Sequence, residues 1–237
     1  MTLTNRLLSA LPPAILTELA PAMATVVLSQ GERLHEPGDA IAALYFPLDC
    51  VLTLTLTMSD GASAAIGLVG SREMIGLNAV LGHKATTQTG YVVQVPGSAI
   101  KLEAPVFLAA FDRYPAVRAV LLRYTQVLIA QMAQNTACNS RHALAQRLAR
   151  WLLEVHDRVA GDEVILTQAF LATMLGAPRP SITLAAHGFQ ERGWLHYRRG
   201  HIHILQPAGL EDAACECFQA IKAECERLLS TQPEALP

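Results

Sequence analysis

The sequence predicts an α+β chain: an N-terminal β-roll or jelly-roll sensor module, one long dimerisation helix, and a C-terminal winged helix-turn-helix. Three observations carry this. From Val26 to about Leu102, short apolar runs alternate with turn residues. After Pro115 a helical stretch has its own heptad seam. From Leu166 to Ile204 the pattern is helix, glycine turn, polar-fronted helix and basic hairpin. The chain divides on this reading into 1–114, 115–139 (helix and hinge) and 140–237.

The N-terminus has the outward look of a signal peptide: Arg6, then Leu7-Leu8-Ser9-Ala10-Leu11, with Ala22-Met23-Ala24 resembling a cleavage site. Pro12-Pro13 and Glu18 interrupt the apolar run, so two short amphipathic helices and a cytoplasmic protein are expected. No stretch approaches the ~20 apolar residues of a membrane span.

In the β module, Val51 to Thr57 alternates apolar and hydroxyl residues with period two, the pattern of a half-buried strand. Ser59-Asp60-Gly61 closes a hairpin, and further turns fall at Gly31-Glu32, Pro37-Gly38-Asp39, Gly67 to Ser71 and Pro96-Gly97. A helix from Ala116 to Thr136 would be ~30 Å long. Its seam steps by four and three through Val117, Leu121, Tyr124 and Leu128, then Gln131, Asn135 and Cys138. The first four are the candidate dimer interface; the alternative is that the helix packs on the chain's own β-roll, and its further apolar residues Val120, Val127 and Met132 leave room for both.

In the C-terminal unit Thr167 is the candidate N-cap of a short helix bearing Phe170, Leu171, Met174 and Leu175, and Gly176 permits a sharp turn. A second helix, roughly Arg179 to Arg192, has Ile182, Ala185, Ala186 and Phe189 on one side and Arg179, Ser181 and Thr183 near its start. Gly193 ends it, and two short strands flank Arg198-Arg199-Gly200 as a wing. A small α+β subdomain with an ordinary helical hairpin is the plainer alternative.

Charge is distributed accordingly. The whole chain has 18 Lys+Arg against 20 Asp+Glu, a net of −2. Between Ser140 and Ile204, however, eight Arg face five acidic residues, and six of the eight His also lie there. A local basic face on a near-neutral chain suits specific, salt-dependent DNA binding. With 51% hydrophobic and 16% charged residues, sizeable cores are expected. The five Cys, at 50, 138, 215, 217 and 225, are too scattered for a disulfide framework, and whether any is a redox sensor stays open. Cys215-x-Cys217 with Cys225 lacks a fourth ligand at metal-site spacing, and on one helix 215 and 217 would point to different faces, so no metal is expected. His35, His83 and His142, with Asp39, Glu73 and Asp112, form no recognisable catalytic constellation, so catalytic residues and enzyme activity are not expected.

These parts, in this order and length, resemble the Crp/Fnr family of bacterial transcription regulators. Gly31-Glu32-Arg33-Leu34 through Gly38-Asp39, then Leu44-Tyr45-Phe46, is similar to the opening of its cyclic-nucleotide-binding-like domain. Asn139-Ser140-Arg141-His142 and Gln146 to Leu153 resemble its linker and first C-terminal helix, especially in members that do not sense cyclic AMP. Leu175 to Thr183 resembles its reading helix.

The resemblance implies that Arg179 contacts a base, where a guanidinium can bridge O6 and N7 of guanine. It makes Ser181 and Thr183 candidates for phosphate or base-edge contacts, and Thr167 and Gln168 for backbone contacts. Arg198 and Arg199 would reach phosphates from the wing, the alternative being an ordinary solvated hairpin tip. Pro180 and Leu184 stand where the family often has Glu and a second Arg, so the operator should differ from that of the cyclic-AMP regulator. The nucleotide cassette also departs. Glu73 is the candidate for the ribose-holding acid, but His83-Lys84-Ala85-Thr86-Thr87 replaces the phosphate-holding Arg segment, and Lys84 lacks a guanidinium fork. Met132 and Ala133 occupy the positions of purine-reading hydroxyls. Glu73, Lys84, Thr86 and Met132 remain the candidate effector pocket, with cyclic AMP disfavoured, the effector unknown and no cofactor identified. The expectation is a homodimeric regulator on a palindromic double-stranded operator, gated through the β-roll, with RNA polymerase a further partner that the resemblance allows and no membrane partner. The alternative is a small-molecule-binding module acting through protein partners.

Overall fold

The computed structural model describes residues 5–61, 63–82, 86–159 and 161–229. Two short helices, α1 (Arg6–Ser9) and α2 (Pro13–Leu19), open the chain. Asn5, wholly buried, caps α1 by accepting from Leu8 N at 3.0 Å, and its Nδ2 donates to Pro47 O and Glu73 O at 2.9 Å. One side chain thus satisfies a free donor of the helix and pins it to the sheets behind.

Seven strands follow: β1 (Met23–Leu28), β2 (Arg33–Leu34), β3 (Ala43–Pro47), β4 (Val51–Thr57), β5 (Ser63–Val69), β6 (Gly90–Val95) and β7 (Gly97–Glu103). They make a three-stranded sheet ordered β1-β7-β3 and a four-stranded sheet ordered β2-β6-β4-β5. Leu28, Leu34, Leu52, Val69 and Val93 meet between the sheets. The opposite face of the first sheet, with Leu44, Phe46, Ile100 and Leu102, packs on helices. These include α4 (Ala104–Arg113) and α5 (Pro115–Arg141), with the short α3 (Asn78–Leu81) between β5 and β6.

Strand β4 corrects one expectation. The hairpin with β5 forms, yet Thr53 and Thr55 are buried rather than solvated. The strand is central in its sheet, and its outer side is covered by the C-terminal domain and by α5: Val51 and Leu68 belong to that domain's core, and Asn135 Nδ2 on α5 donates to Ile66 O of the neighbouring β5 at 3.0 Å. Period two reports one wet face only where nothing else docks there.

The C-terminal domain contains α6 (Leu144–His156), β8 (Glu163–Ile165), α7 (Gln168–Leu175), α8 (Arg179–Glu191), β9 (Leu195–Arg198), β10 (His201–Ile204), α9 (Pro207–Ala213) and α10 (Cys217–Leu229). Its core gathers Leu148, Trp151, Leu171, Ile182, Phe189 and Ile202. Helix α5 has 27 residues, about 40 Å, longer than the expected Ala116–Thr136 and running to the edge of this domain.

Two ion pairs fasten the roll to the C-terminal domain. Arg158 Nη2 donates to Glu73 Oε1 at 2.9 Å with both side chains buried, and Arg72 Nη2 lies 2.9 Å from Asp157 Oδ2. Arg158 runs so close to Gly70 that a Cβ there would sit 2.9–3.1 Å from its aliphatic stem, so the close approach needs glycine. Burial alone would raise the Asp157 carboxyl, but Arg72 and Lys222 beside it hold it below its ordinary value.

Candidate nucleic-acid interface

The helix-turn-helix unit forms as its local chemistry dictates. Thr167 Oγ1 accepts from Phe170 N at 3.2 Å, capping α7, and Gly176 ends that helix in the left-handed region at φ 57°. Pro178 and Pro180 bracket Arg179 at the start of α8. Ile182, Ala186 and Phe189 turn one side of α8 into the core. The other side, Arg179, Pro180, Thr183, Leu184 and His187, faces outward, and Leu184 is 75% exposed. Ser181 is half-buried beside it. Thr183 Oγ1 lies 2.8 Å from Gln168 Oε1 and 3.1 Å from Arg179 O, both acceptors, so its hydroxyl hydrogen joins the first turns of α7 and α8. The Gln168 amide nitrogen is left as a donor.

The wing is β9 and β10 joined by Arg199-Gly200, both at positive φ (51° and 88°), the two-residue turn whose twist suits a hairpin. Tyr197 N donates to Gln190 Oε1 at 2.8 Å and Tyr197 Oη to Leu166 O at 2.7 Å, fixing the wing against α8. Burial pushes the Tyr197 phenol up to about 12 against the opposing pull of Arg179, so it stays a donor. Arg198 and Arg199 are exposed at the tip. The fold therefore brings Arg179, Ser181, Thr183, Thr167 and Gln168 to adjoining first turns, with the two wing arginines beside them. His187 joins the outward face of α8 as a residue that sequence reasoning missed; its spacing of four from Thr183 was the available signal.

The net basic charge of this region overstates its face. Arg150 is buried with Nη1 donating to Glu154 Oε1 and Asn135 Oδ1 at 2.7 Å, and Arg158 pairs with Glu73. Arg147 donates to Leu175 O and Asn139 Oδ1. These arginines are structural. Glu163, beside the wing histidines, accepts from His201 Nδ1 at 2.7 Å.

The expected dimer seam lies on the inward side of α5. Val117, Leu121 and Tyr124 are buried against the roll, with Leu128 partly buried in the same cluster. Tyr124 Oη donates to Met74 O at 2.9 Å and accepts from Met74 N at 3.2 Å. The alternative reading, packing on the chain's own roll, describes these four residues. The exposed side of α5 has a second stripe stepping by three and four: Ala119, Leu122, Gln126, Ile129, Ala133 and Thr136, with Leu122 58% and Ile129 63% exposed. Periodicity alone could not distinguish two seams of the same spacing on one helix.

Three of the four effector candidates lie among the described residues. Glu73 is 1% exposed, and beyond Arg158 it accepts from Gly70 N at 2.6 Å, so both carboxylate oxygens are engaged within the protein. Thr86 is exposed, and Met132 lies on the exposed side of α5. Lys84 lies outside the described residues.

The cysteines depart from the expected arrangement. Cys215 precedes α10 and Cys217 begins it, so the two are not on opposite faces of one helix. Both sit beside Cys138, and the four ligand atoms of Cys138, His142, Cys215 and Cys217 lie within 4.8 Å of one another. Cys225 is elsewhere, packed with Val127 and Ile221. The cluster is completed by two residues at the end of α5, a separation no spacing rule reveals.

Residues 146–213 match the model of the Crp-like helix-turn-helix domain. No curated protein sequence matches the chain. Among solved structures it is similar to FixK2 from Bradyrhizobium japonicum, at 14% identity over 81% of this chain and 98% of that one, with a TM-score of 0.69. A putative transcriptional regulator of the Crp/Fnr family from Eubacterium rectale aligns at 18% identity, 87% and 96% coverage and a TM-score of 0.68. The c-di-GMP-responsive global regulator CLP of Xanthomonas campestris aligns at 14% identity, 81% and 99% coverage and a TM-score of 0.63. Among the described residues no helix is long and apolar enough to cross a membrane. Roll, long helix and C-terminal unit together give this chain the fold of the Crp/Fnr-type structures it resembles, and residues 146–213 form a Crp-like helix-turn-helix domain.

Proposed function

We propose that the chain is a sequence-specific transcription regulator that binds a two-fold symmetric operator as a homodimer. The observation that carries this is the outward face of α8, where Arg179, Thr183, Leu184 and His187 project beside a basic wing tip. A helix presenting an arginine and a hydroxyl at its start suits the major groove, with Leu184 placed to meet a thymine methyl. Arg198 and Arg199 reach flanking phosphates and add affinity without sequence preference. The exposed stripe through Leu122, Ile129 and Ala133 is the dimer seam, because two such apolar residues seven apart on one helix pair well with a copy of themselves. The roll reports its state to the reading unit through the Glu73–Arg158 and Arg72–Asp157 pairs, and an effector shifts that state only by its differential affinity for two arrangements.

Selection of bound DNA from a random pool is the test. Two reading helices on a symmetric dimer meet successive major grooves ~34 Å apart, so the selected sites should be inverted repeats. A single asymmetric site would contradict the dimeric reading; no enrichment at all would favour a module acting through protein partners.

A further inference from the structure

Two segments far apart in sequence deliver ligands to one point: the last turn of α5 with the residue after it, and the junction of α9 with α10. Cys138 Sγ and Cys215 Sγ lie 3.4 Å apart, and Cys217 Sγ is 3.6 Å from His142 Nδ1. All three cysteines are buried, and none is in a disulfide. A tetrahedral zinc site with metal–sulfur bonds of ~2.3 Å and a metal–nitrogen bond of ~2.0 Å has sulfur–sulfur edges of about 3.8 Å and sulfur–nitrogen edges of about 3.5 Å. The cluster is within a few tenths of an ångström of those two edges before any ion draws it together.

We propose that Cys138, His142, Cys215 and Cys217 bind one thiophilic divalent cation of the zinc class, clipping the end of α5 to the start of α10.

The surroundings are those of a ligand set rather than of thiols packed as small apolar groups. With Nδ1 of His142 turned to the sulfurs, its Nε2 lies 3.2 Å from Glu216 Oε2, the carboxylate–histidine pairing that orients a metal-bound imidazole. Gln134 Nε2 donates to Cys217 Sγ at 3.0 Å, a bond that stabilises a thiolate. Three thiolates, one neutral imidazole and a divalent ion carry one net negative charge, and the buried Arg150 acts on Cys138 and Cys215 from close by. Four protein ligands complete the coordination, so the ion is structural or regulatory rather than catalytic. Its position matters because the chain leaves α5 at His142 and enters the reading domain at Leu144, so the clip fixes the angle at which α5 hands over to that domain.

The test uses the full chain, purified reduced, with bound metal measured by elemental analysis and the metal-free protein titrated with cobalt(II) as the probe. The proposal expects one equivalent per chain, thiolate-to-cobalt charge transfer in the near ultraviolet and the intense visible bands of tetrahedral cobalt, both abolished by one equivalent of zinc. Cys50→Ser and Cys225→Ser should leave the spectrum intact. Cys138→Ser and Cys217→Ser should lose the charge-transfer intensity of one sulfur each, and Glu216→Ala should weaken affinity roughly 10–100-fold. Cobalt binding without thiolate charge transfer, or an unchanged spectrum in the Cys138→Ser and Cys217→Ser variants, overturns the proposal. So does a Cys138–Cys215 disulfide in the isolated protein whose reduction restores no metal binding. Should a variant fail to fold, the spectrum of the unaltered chain still decides.

Discussion

Arg158→Met is the perturbation that most directly probes how the roll is joined to the reading domain. It removes the cation from a pair in which both side chains are buried, leaving Glu73 with the Gly70 N–H. Breaking a buried ion pair from one side typically costs about 3–5 kcal/mol, because the remaining charge has neither water nor a partner. For a chain of this size that corresponds to a fall in Tm of roughly 6–20 °C. Glu73→Gln takes the carboxylate from the guanidinium, which keeps its bond from Nη1 to Glu154 O at 2.8 Å, and should cost a comparable amount. The double variant buries no unpaired charge, so it should cost less than either single change, which means a coupling of at least about 3 kcal/mol. Both tryptophans, Trp151 and Trp194, lie in or against the core of the reading domain, so their fluorescence in thermal melts reports that domain directly. A coupling below about 0.5 kcal/mol would refute the claim that this pair joins the two units. The neighbouring Asp157, whose carboxyl is held low in the folded state, supplies a pH signature. Its contribution is complete above its unfolded value near ~4 and is lost as pH falls through the folded one, and Asp157→Asn should flatten that part of the acid profile.

The two seams of α5 separate by mutation. Leu122→Glu or Ile129→Glu should leave the melt within ~1 kcal/mol of the unaltered chain but give a monomer by sedimentation, whereas Leu121→Glu, at a core position, should unfold the roll; a folded, dimeric Leu122→Glu/Ile129→Glu protein would move the interface elsewhere. Cyclic AMP should bind weakly or not at all, because Glu73 is held by Arg158 and the sequence offers Lys84 in place of the phosphate-holding arginine; micromolar affinity by calorimetry that also raises DNA binding would overturn this.

Much of the fold was legible because its elements carry local signals. Thr167, Gly176, Pro178 and Gly200 punctuate the reading unit, and Ile182, Ala186 and Phe189 mark the buried side of α8. What the sequence concealed was tertiary in origin. The period-two pattern of β4 could not announce that the C-terminal domain covers its second face. Arg150 and Arg158 are counted as basic surface in any charge tally, yet both are consumed in buried pairs. The seam through Val117, Leu121 and Tyr124 is real, but it meets the chain's own roll, and an equal spacing on the opposite side carries Leu122 and Ile129. Cys138 and Cys215 are 77 residues apart and meet only because α10 lies along α5.

The central claim, that the start of α8 reads bases while the wing holds phosphates, is tested by affinities for a selected operator and a single-base-substituted one, each at several salt concentrations. If Arg179 bridges a guanine, Arg179→Ala should cost about 1–3 kcal/mol per half-site and erase discrimination at one base position, and Arg179→Lys should restore little. Arg198→Ala and Arg199→Ala should instead weaken both operators alike and lower the salt slope by roughly one unit for each phosphate no longer neutralised. Equal losses on both operators for Arg179→Ala would reduce Arg179 to a phosphate anchor and contradict the account.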